Sequence, residues 1–509
     1  MKLFSLIFLA LVPFAAYPQQ KVFDITRYGA KPDSVTNNAI AIQKAIDDAA
    51  AKSGGIVFVP AGKFLTGVIN LKSNVTLNLA PNAVLLGSAK RPDYGAGDAS
   101  PLIVAKNLQN VAITGKGIID GNGAGLLKNV IAMLTAGTLK DAAWGKLNAW
   151  GQMQPLESNR PKVIGFYNCK GVTIKGITLK NSLDWVQEYR NCTDMVFDSI
   201  KVESNTYWNN DGIDLVDCRN VKLNNSFFNA DDDGICLKSS DRNSCCENIY
   251  VANCTVRSSA SAIKMGTASK GGFKKITIRD IKIYDTYRSA VALECVDGGT
   301  MEDVDIRNIN AVNTGNAIFI RVAHRNTDTV TGSINRVRIS NVNVEIPKVK
   351  PDKGYPYEGP EVRYPHNVFP SSIAGLPSHP VQNVVLENIN IVYKGDANKA
   401  VAQFGTDSLE KITENSNGYP EFSMFGELPA WGFYVRHAAG LTFKNVTISC
   451  LGNDFRAACV FNDINGLKIK SLKIPQVKSL PVILLHKVVK KSFHGINIPG
   501  TDADKIETK

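Results

Sequence analysis

The sequence predicts an all-β chain wound into a right-handed, single-stranded parallel β-helix with a helical cap at its N-terminal end. Three observations predict it. A short strand phrase recurs along most of the chain, Asn, Asp and Gly turns punctuate it, and a set of cysteines keeps step with it. The phrase is a polar turn, two or three alternating residues, an Asn or Asp, and a second apolar strand. Val172-Thr173-Ile174-Lys175-Gly176-Ile177, Ile276-Thr277-Ile278-Arg279-Asp280-Ile281 and Val304-Asp305-Ile306-Arg307-Asn308-Ile309 are examples. It begins at 172, 195, 221, 249, 276, 304 and 337, in steps of 23, 26, 28, 27, 28 and 33. Period-two alternation over so few residues is a strand signature, not a helical one. Repetition at this spacing describes coils that stack about 4.8 Å apart and bury one continuous core. A length of 509 residues would otherwise suggest about three domains. A solenoid places residues 20–509 in one, with a cap over about 20–70.

The elements follow in order. Met1-Lys2, the apolar run Leu3–Ala16 and the small residues near its end read as a secretory signal over residues 1–19, too short to span a bilayer. The expected product is exported, secreted or periplasmic, with no membrane span. Asn38 to Lys52 carries apolar residues at helical spacing and stops before Gly54-Gly55, so it reads as the cap that closes the open end of the core. Longer steps fall from Val111 to Val172, from Val337 to Val384 and from Val384 to Leu441, and mark long loops over 122–160, with Trp144 and Trp150, and over 346–440. Loops on a rigid solenoid are where substrate walls sit. Cys169, Cys192, Cys218 and Cys246 each precede a phrase by three residues, which predicts a stack of small buried side chains at one corner. A disulfide from Cys245 or Cys246 to Cys254 stays open.

The net charge of +12 points to an anionic partner. Nucleic acid is set aside, because no basic helix or aromatic-basic motif appears.

Two acidic phrases stand out. Trp208-Asn209-Asn210-Asp211-Gly212-Ile213-Asp214 and Asp231-Asp232-Asp233-Gly234-Ile235-Cys236-Leu237-Lys238 both lead into a Gly-Ile strand start. Asp211 and Asp232 are 21 residues apart, close to one coil, so their carboxylates should crowd one surface. A single Asp of this kind is ordinary turn chemistry. A stack of them repels and raises some pKa values, which costs stability and asks for a function. Glycoside hydrolysis is one: an acid protonates the leaving oxygen while carboxylates opposite activate water. A calcium site is another.

Over most of its length the chain resembles the polygalacturonase family, glycoside hydrolase family 28. The resemblance is carried by Phe23-Asp24-Ile25 to Tyr28-Gly29-Ala30, Val59 to Gly67, Leu71 to Leu77, Ile119-Asp120-Gly121-Asn122-Gly123 and both acidic phrases. It implies a pectin lyase-like solenoid that hydrolyses pectin with inversion and without cofactor or metal. Asp232 would be the general acid, and Asp211 with Asp233 would hold and activate the water. The family's Asn-Thr-Asp appears as Asn209-Asn210-Asp211. Its Gly-His-Gly is absent from Ser258 to Thr267, and its Arg-Ile-Lys, which binds a galacturonate carboxylate, falls on Val291-Ala292-Leu293-Glu294. By strand parity Ala292 and Glu294 point outward where the cations would be. Lys264, also outward, with Arg288 and Arg321 are candidate replacements, and Glu294 and Asn209 are candidate sugar contacts.

The expected partner is therefore acidic plant polysaccharide or its oligosaccharides, bound by a monomer. Polygalacturonan or a rhamnogalacturonan or side-chain linkage would be cut, from the chain end if the long loops close the groove. Two other readings remain. A β-helix lyase would use Lys264 as base and calcium on the Asp patch, and a non-catalytic β-helix would only bind carbohydrate.

Overall fold

The computed structural model describes residues 21–147, 153–351, 364, 366–403, 406–476, 480–499 and 506–508. The expected leader and Trp150 lie outside them. Every described strand, from Val22–Asp24 to Ile506–Thr508, joins one sheet, and successive strands pair in parallel with the coil before and after, giving the right-handed parallel β-helix. The recurring phrase is the register itself. Val172, Met195, Val221, Ile249, Ile276, Val304, Val337 and Val384 stand directly above one another. All are buried, and they form one ladder of the apolar column.

Turn chemistry keeps the coils in step. The Asn or Asp of the phrase adopts the left-handed conformation, with φ of 57° at Asp280, 59° at Asn308, 55° at Asn341 and 55° at Asn388. Asn and Asp tolerate that region better than other side-chain-bearing residues. Their side chains bond up the stack, Asn308 Nδ2 donating to Asp280 Oδ1 at 2.7 Å and Asn341 Nδ2 to Asn308 Oδ1 at 3.0 Å. At another corner Cys169, Cys192, Cys218 and Cys246 occupy successive rungs, flanked by the pairs Lys170 with Thr193, Thr193 with Arg219 and Arg219 with Glu247. All ten cysteines are free thiols, so no bridge joins Cys245 or Cys246 to Cys254.

Helix α1, Ala39–Ala51, turns Ile42, Ala45, Ile46 and Ala49 onto the first coil. The stack starts inside the span expected for the cap, since Gly55–Val59 already pairs with Val75–Leu79. Residues 122–160, expected as loop, hold a second helix, α2 at Gly123–Thr135, whose Leu126, Val130 and Leu134 are buried. Among the described residues no helix is long and apolar enough to cross a membrane.

The corner ladder makes a stability prediction. Asn308→Val places a β-branched residue in the left-handed region and removes two amide bonds, so it should destabilise the protein by about 1–2 kcal/mol. Asn308→Gly lacks the same amide bonds but accepts the left-handed conformation, so it should recover the part of the loss that comes from backbone strain. Guanidinium midpoints of the two variants check this, and equal midpoints would contradict the role given to the left-handed turn.

Candidate active site

Four neighbouring strand segments form the floor: Ile213–Val216, Ile235–Ser239, Ile263–Ser269 and the end of Gly272–Cys295. Ile213, Ile235, Ile263 and Val291 align and face the core. The alternation therefore turns Asp214, Cys236, Lys264 and Ala292 to the other face, with Lys238 and Glu294 further along.

The turns before these strands deliver the carboxylates. Gly212 follows Asp211 because a Cβ there would come within 2.5 Å of the Gly234 carbonyl oxygen, and Gly234 follows Asp233 because its Cβ would meet Val256 at 2.3 Å. Register differs by one residue from the spacing argument. Ile213 pairs with Ile235, and Gly212 N–H donates to the Asp233 carbonyl at 2.8 Å. Asp233, not Asp232, is thus the one-coil counterpart of Asp211. Asp232 caps its own turn, its Oδ1 accepting from Asp233 N–H at 2.7 Å. Asn210 is buried and clamped, accepting from the Ser204 hydroxyl at 2.6 Å and donating to the Asp184 carbonyl at 3.1 Å. Asn209 Oδ1 accepts from Arg160 at 2.7 Å.

Two lysines interleave with the acids. Lys238 Nζ lies 2.9 Å from Asp211, 2.8 Å from Asp214 and 2.9 Å from Cys236 Sγ, and sits over the Trp185 ring at 4.7 Å. Lys264 Nζ lies 3.0 Å from Asp233 and 3.9 Å from Glu294, and donates to Tyr419 Oη at 2.9 Å. Burial alone would strip the charge from either lysine. The facing carboxylates outweigh it and hold both ammonium groups well above the usual lysine range. The acids divide. Burial, reinforced by Asp214 and opposed by Lys238, lifts the Asp211 carboxyl well above its ordinary range. Burial lifts Asp214 to about 6 and Glu294 to about 7. At Asp233 the charges of Lys264, Lys238 and Arg288 overcome burial and hold the carboxyl below the usual range.

These groups floor a cavity of about 540 Å³. Asn209, Asp211, Asp232, Asp233, Lys264 and Arg288 all line it, so six of the eight residues singled out from the sequence converge. Glu294 sits beside Lys264 and accepts from the Thr267 hydroxyl at 3.2 Å. Arg321 lies elsewhere. It is fully buried, donates to the Gly375 carbonyl at 3.0 Å and to the Glu414 carbonyl, and stacks on Phe425. It fastens a loop to the sheet.

The walls come from the long loops. Glu157 stands on one side, and Asn415, Tyr419 and Met424 on the other. Tyr434, outward on a later rung, is buried under this second loop with Leu409, Ile412 and Leu428, not in the central column. Sequence reasoning assigned no role to Lys238, Trp185, Tyr419 or Arg325. Strand parity could have found Lys238, which alternates with inward Leu237. Nothing in the sequence places Tyr419, 155 residues from Lys264, on that lysine.

Oxygens of Asp211 and Asp233 and the sulfur of Cys236 lie within 4.8 Å of one another. The ammonium groups of Lys238 and Lys264 already sit against these donors, supplying the positive charge that a calcium ion would bring. Lys264 is 2% exposed and held charged, which is the wrong state for a free base.

A sequence model of glycosyl hydrolases family 28 matches residues 52–355. An exo-poly-alpha-D-galacturonosidase of Dickeya chrysanthemi is 30% identical over 253 residues, 42% of this chain and 41% of that protein. A probable polygalacturonase of Vitis vinifera is 27% identical over 314 residues, 58% and 55% of the two chains. The chain thus spans about half the length of these relatives. A family 28 exopolygalacturonase of Yersinia enterocolitica superposes with a TM-score of 0.63 at 20% identity, over 90% of this chain and 78% of that one, a likeness of fold.

The lysine-carboxylate interleaving sets a pH-dependent expectation. Asp214 is raised in the folded chain, so its contribution to stability is full below its unfolded value of 3.8 and is lost as pH rises through about 6. Lys238→Met removes the opposing charge. It should cost about 3–5 kcal/mol at pH 8, where Asp211 and Asp214 would be buried without a counter-ion, and clearly less at pH 4. Denaturant titrations at both pH values test this, and equal losses would argue against it.

Proposed function

The chain belongs to glycosyl hydrolases family 28, and from that premise we propose that it is an exported, inverting glycoside hydrolase that cleaves α-glycosidic bonds in pectin. The observation that carries this reading is that Asp211, Asp232 and Asp233, all within the matched span, line one walled cavity. Asp232 gives its proton to the leaving glycosidic oxygen. A water held between Asp211 and Asp233 attacks the anomeric carbon from the opposite face while the carbon–oxygen bond breaks. Asp233, ionised beside Lys264, takes the proton of that water. Asp211, driven towards its neutral form by burial, orients the water by hydrogen bonding. Proton exchange with solvent then resets both groups.

Chain-end attack is part of the proposal. The loops bearing Glu157 and Tyr419 wall the cavity on two sides, and relatives bear exo-acting names. Export rests on the leader at residues 1–19.

Digestion of a panel of pectic substrates, followed by NMR, is the test. The first product should carry the inverted anomeric configuration, and retention would sink the mechanism. Short products should appear without an early ladder of long oligosaccharides. Asp232→Asn should lower kcat by about 10²- to 10⁴-fold while leaving the thermal midpoint near its original value. Undiminished turnover in that variant would remove Asp232 from its role as acid.

A further inference from the structure

The binding groove does not end at the carboxylate cavity. A second cavity, of about 580 Å³, shares Ser240, Ala268 and Arg325 with it, so the two adjoin. Their charge inventories differ.

In the first cavity the lining acids Glu157, Asp211, Asp232, Asp233 and Glu421 outnumber the bases Lys238, Lys264, Arg288 and Arg325. Both lysines are bound to carboxylates at 3.0 Å or less. Arg288 lies over the Tyr419 ring at 5.6 Å, and its charge acts on Asp233 and Glu294. A sugar carboxylate entering here would meet an excess of acids with the lysines already engaged. Sugar hydroxyls would meet acceptors.

The second cavity is different. Arg325 is pre-oriented there by the buried Asp297, which accepts from its Nε at 3.0 Å and its Nη2 at 2.8 Å. Its Nη1 has no protein acceptor among the described residues. Lys270 lines the same cavity, is exposed, and has no ion pair among the described residues. Asp328, the other acid in this cavity, is paired with Arg242. Two donors, Arg325 Nη1 and the Lys270 ammonium, are thus available to one carboxylate. Ser240, Asn326 and Thr327 supply hydroxyl and amide groups around them.

We infer that the second cavity is a subsite for a uronate unit, held through its carboxylate by Arg325 and Lys270, and that the unit seated over Asp211, Asp232 and Asp233 is a neutral sugar. The inference rests on the hydrolase reading for its placement of the scissile bond. It narrows the pectic substrate to one that sets an acidic unit beside a neutral one.

Binding to the Asp232→Asn protein tests it without depending on turnover. The probes are an oligosaccharide of alternating galacturonate and neutral sugar, its carboxyl-reduced counterpart, and a uniform oligogalacturonate of equal length. Calorimetry should show the alternating probe binding about tenfold more tightly than either of the others. Lys270→Ala, a surface change that leaves the fold intact, should shrink the advantage over the reduced probe to about twofold. Equal affinity for the alternating and reduced probes, or an advantage untouched by Lys270→Ala, would overturn the uronate subsite. Tighter binding of the uniform oligogalacturonate would overturn the neutral one. Failure of the wild-type protein to cleave the alternating probe, with this binding order intact, would fault the hydrolase reading and leave the subsites standing.

Discussion

Each coil must present its backbone N–H and C=O groups to the coils above and below in parallel register, and the rest of the molecule follows from that requirement. It forces every inward position into a ladder, so the column from Val172 to Val384 is apolar throughout. It forces each corner to repeat its backbone conformation, which selects Asn and Asp where φ is positive. It also stacks like on like. Two coils that turn in the same way, each with an Asp before a Gly-Ile strand, bring their carboxylates together whether or not charge favours it.

The lysines answer that repulsion. Lys238 and Lys264 rise from the strands just beyond the acidic turns, Lys238 reaching back to Asp211 and Asp214 of the preceding rung and Lys264 standing between Asp233 and Glu294 of the rungs on either side. The arrangement is not symmetric. Asp211 shares one ammonium with Asp214 and is pushed towards its neutral form, whereas Asp233 faces Lys264 with Arg288 and Lys238 nearby and stays charged. Two chemically identical side chains on adjacent rungs thereby acquire opposite shifts in proton affinity. The proposed water activation uses that difference, with Asp233 as the proton acceptor and Asp211 orienting the nucleophile.

Local repetition was legible in the sequence. The phrase starts, the cysteine stack and the cap helix all reflect short-range patterns that the backbone ladder preserves. Parity also placed Lys264 and Glu294 on the outer face. The limits appeared where lengths vary. The turn between Ser204 and Ile213 is longer than that between Ala230 and Ile235, so a fixed count of residues per coil misplaces the acids, whereas the shared Asp-Gly-Ile before each strand aligns Asp211 with Asp233 as the ladder does. Helix α2 was missed although Leu126, Val130 and Leu134 have helical spacing, because it interrupts a chain otherwise read at period two. The fate of an outward arginine was not legible at all. Arg321 and Arg325 are four residues apart, yet one is sealed by the path of the loop bearing Glu414 and the other lines the groove.

That path turns the solenoid into a ruler. Lys264 aligns with Ala292, then Phe319, Ser372 and Tyr434, so the loop bearing Tyr419 joins the third and fourth rungs beyond the lysine it touches. At about 4.8 Å per rung it reaches back roughly 14–19 Å to form the wall. Duplication or loss of one intervening coil would keep every ladder in step and leave the carboxylates undisturbed, yet shift the wall by a whole rung. The length of the binding site is therefore quantised: lineages with this architecture can lengthen or shorten it in discrete increments without altering the residues that perform the chemistry.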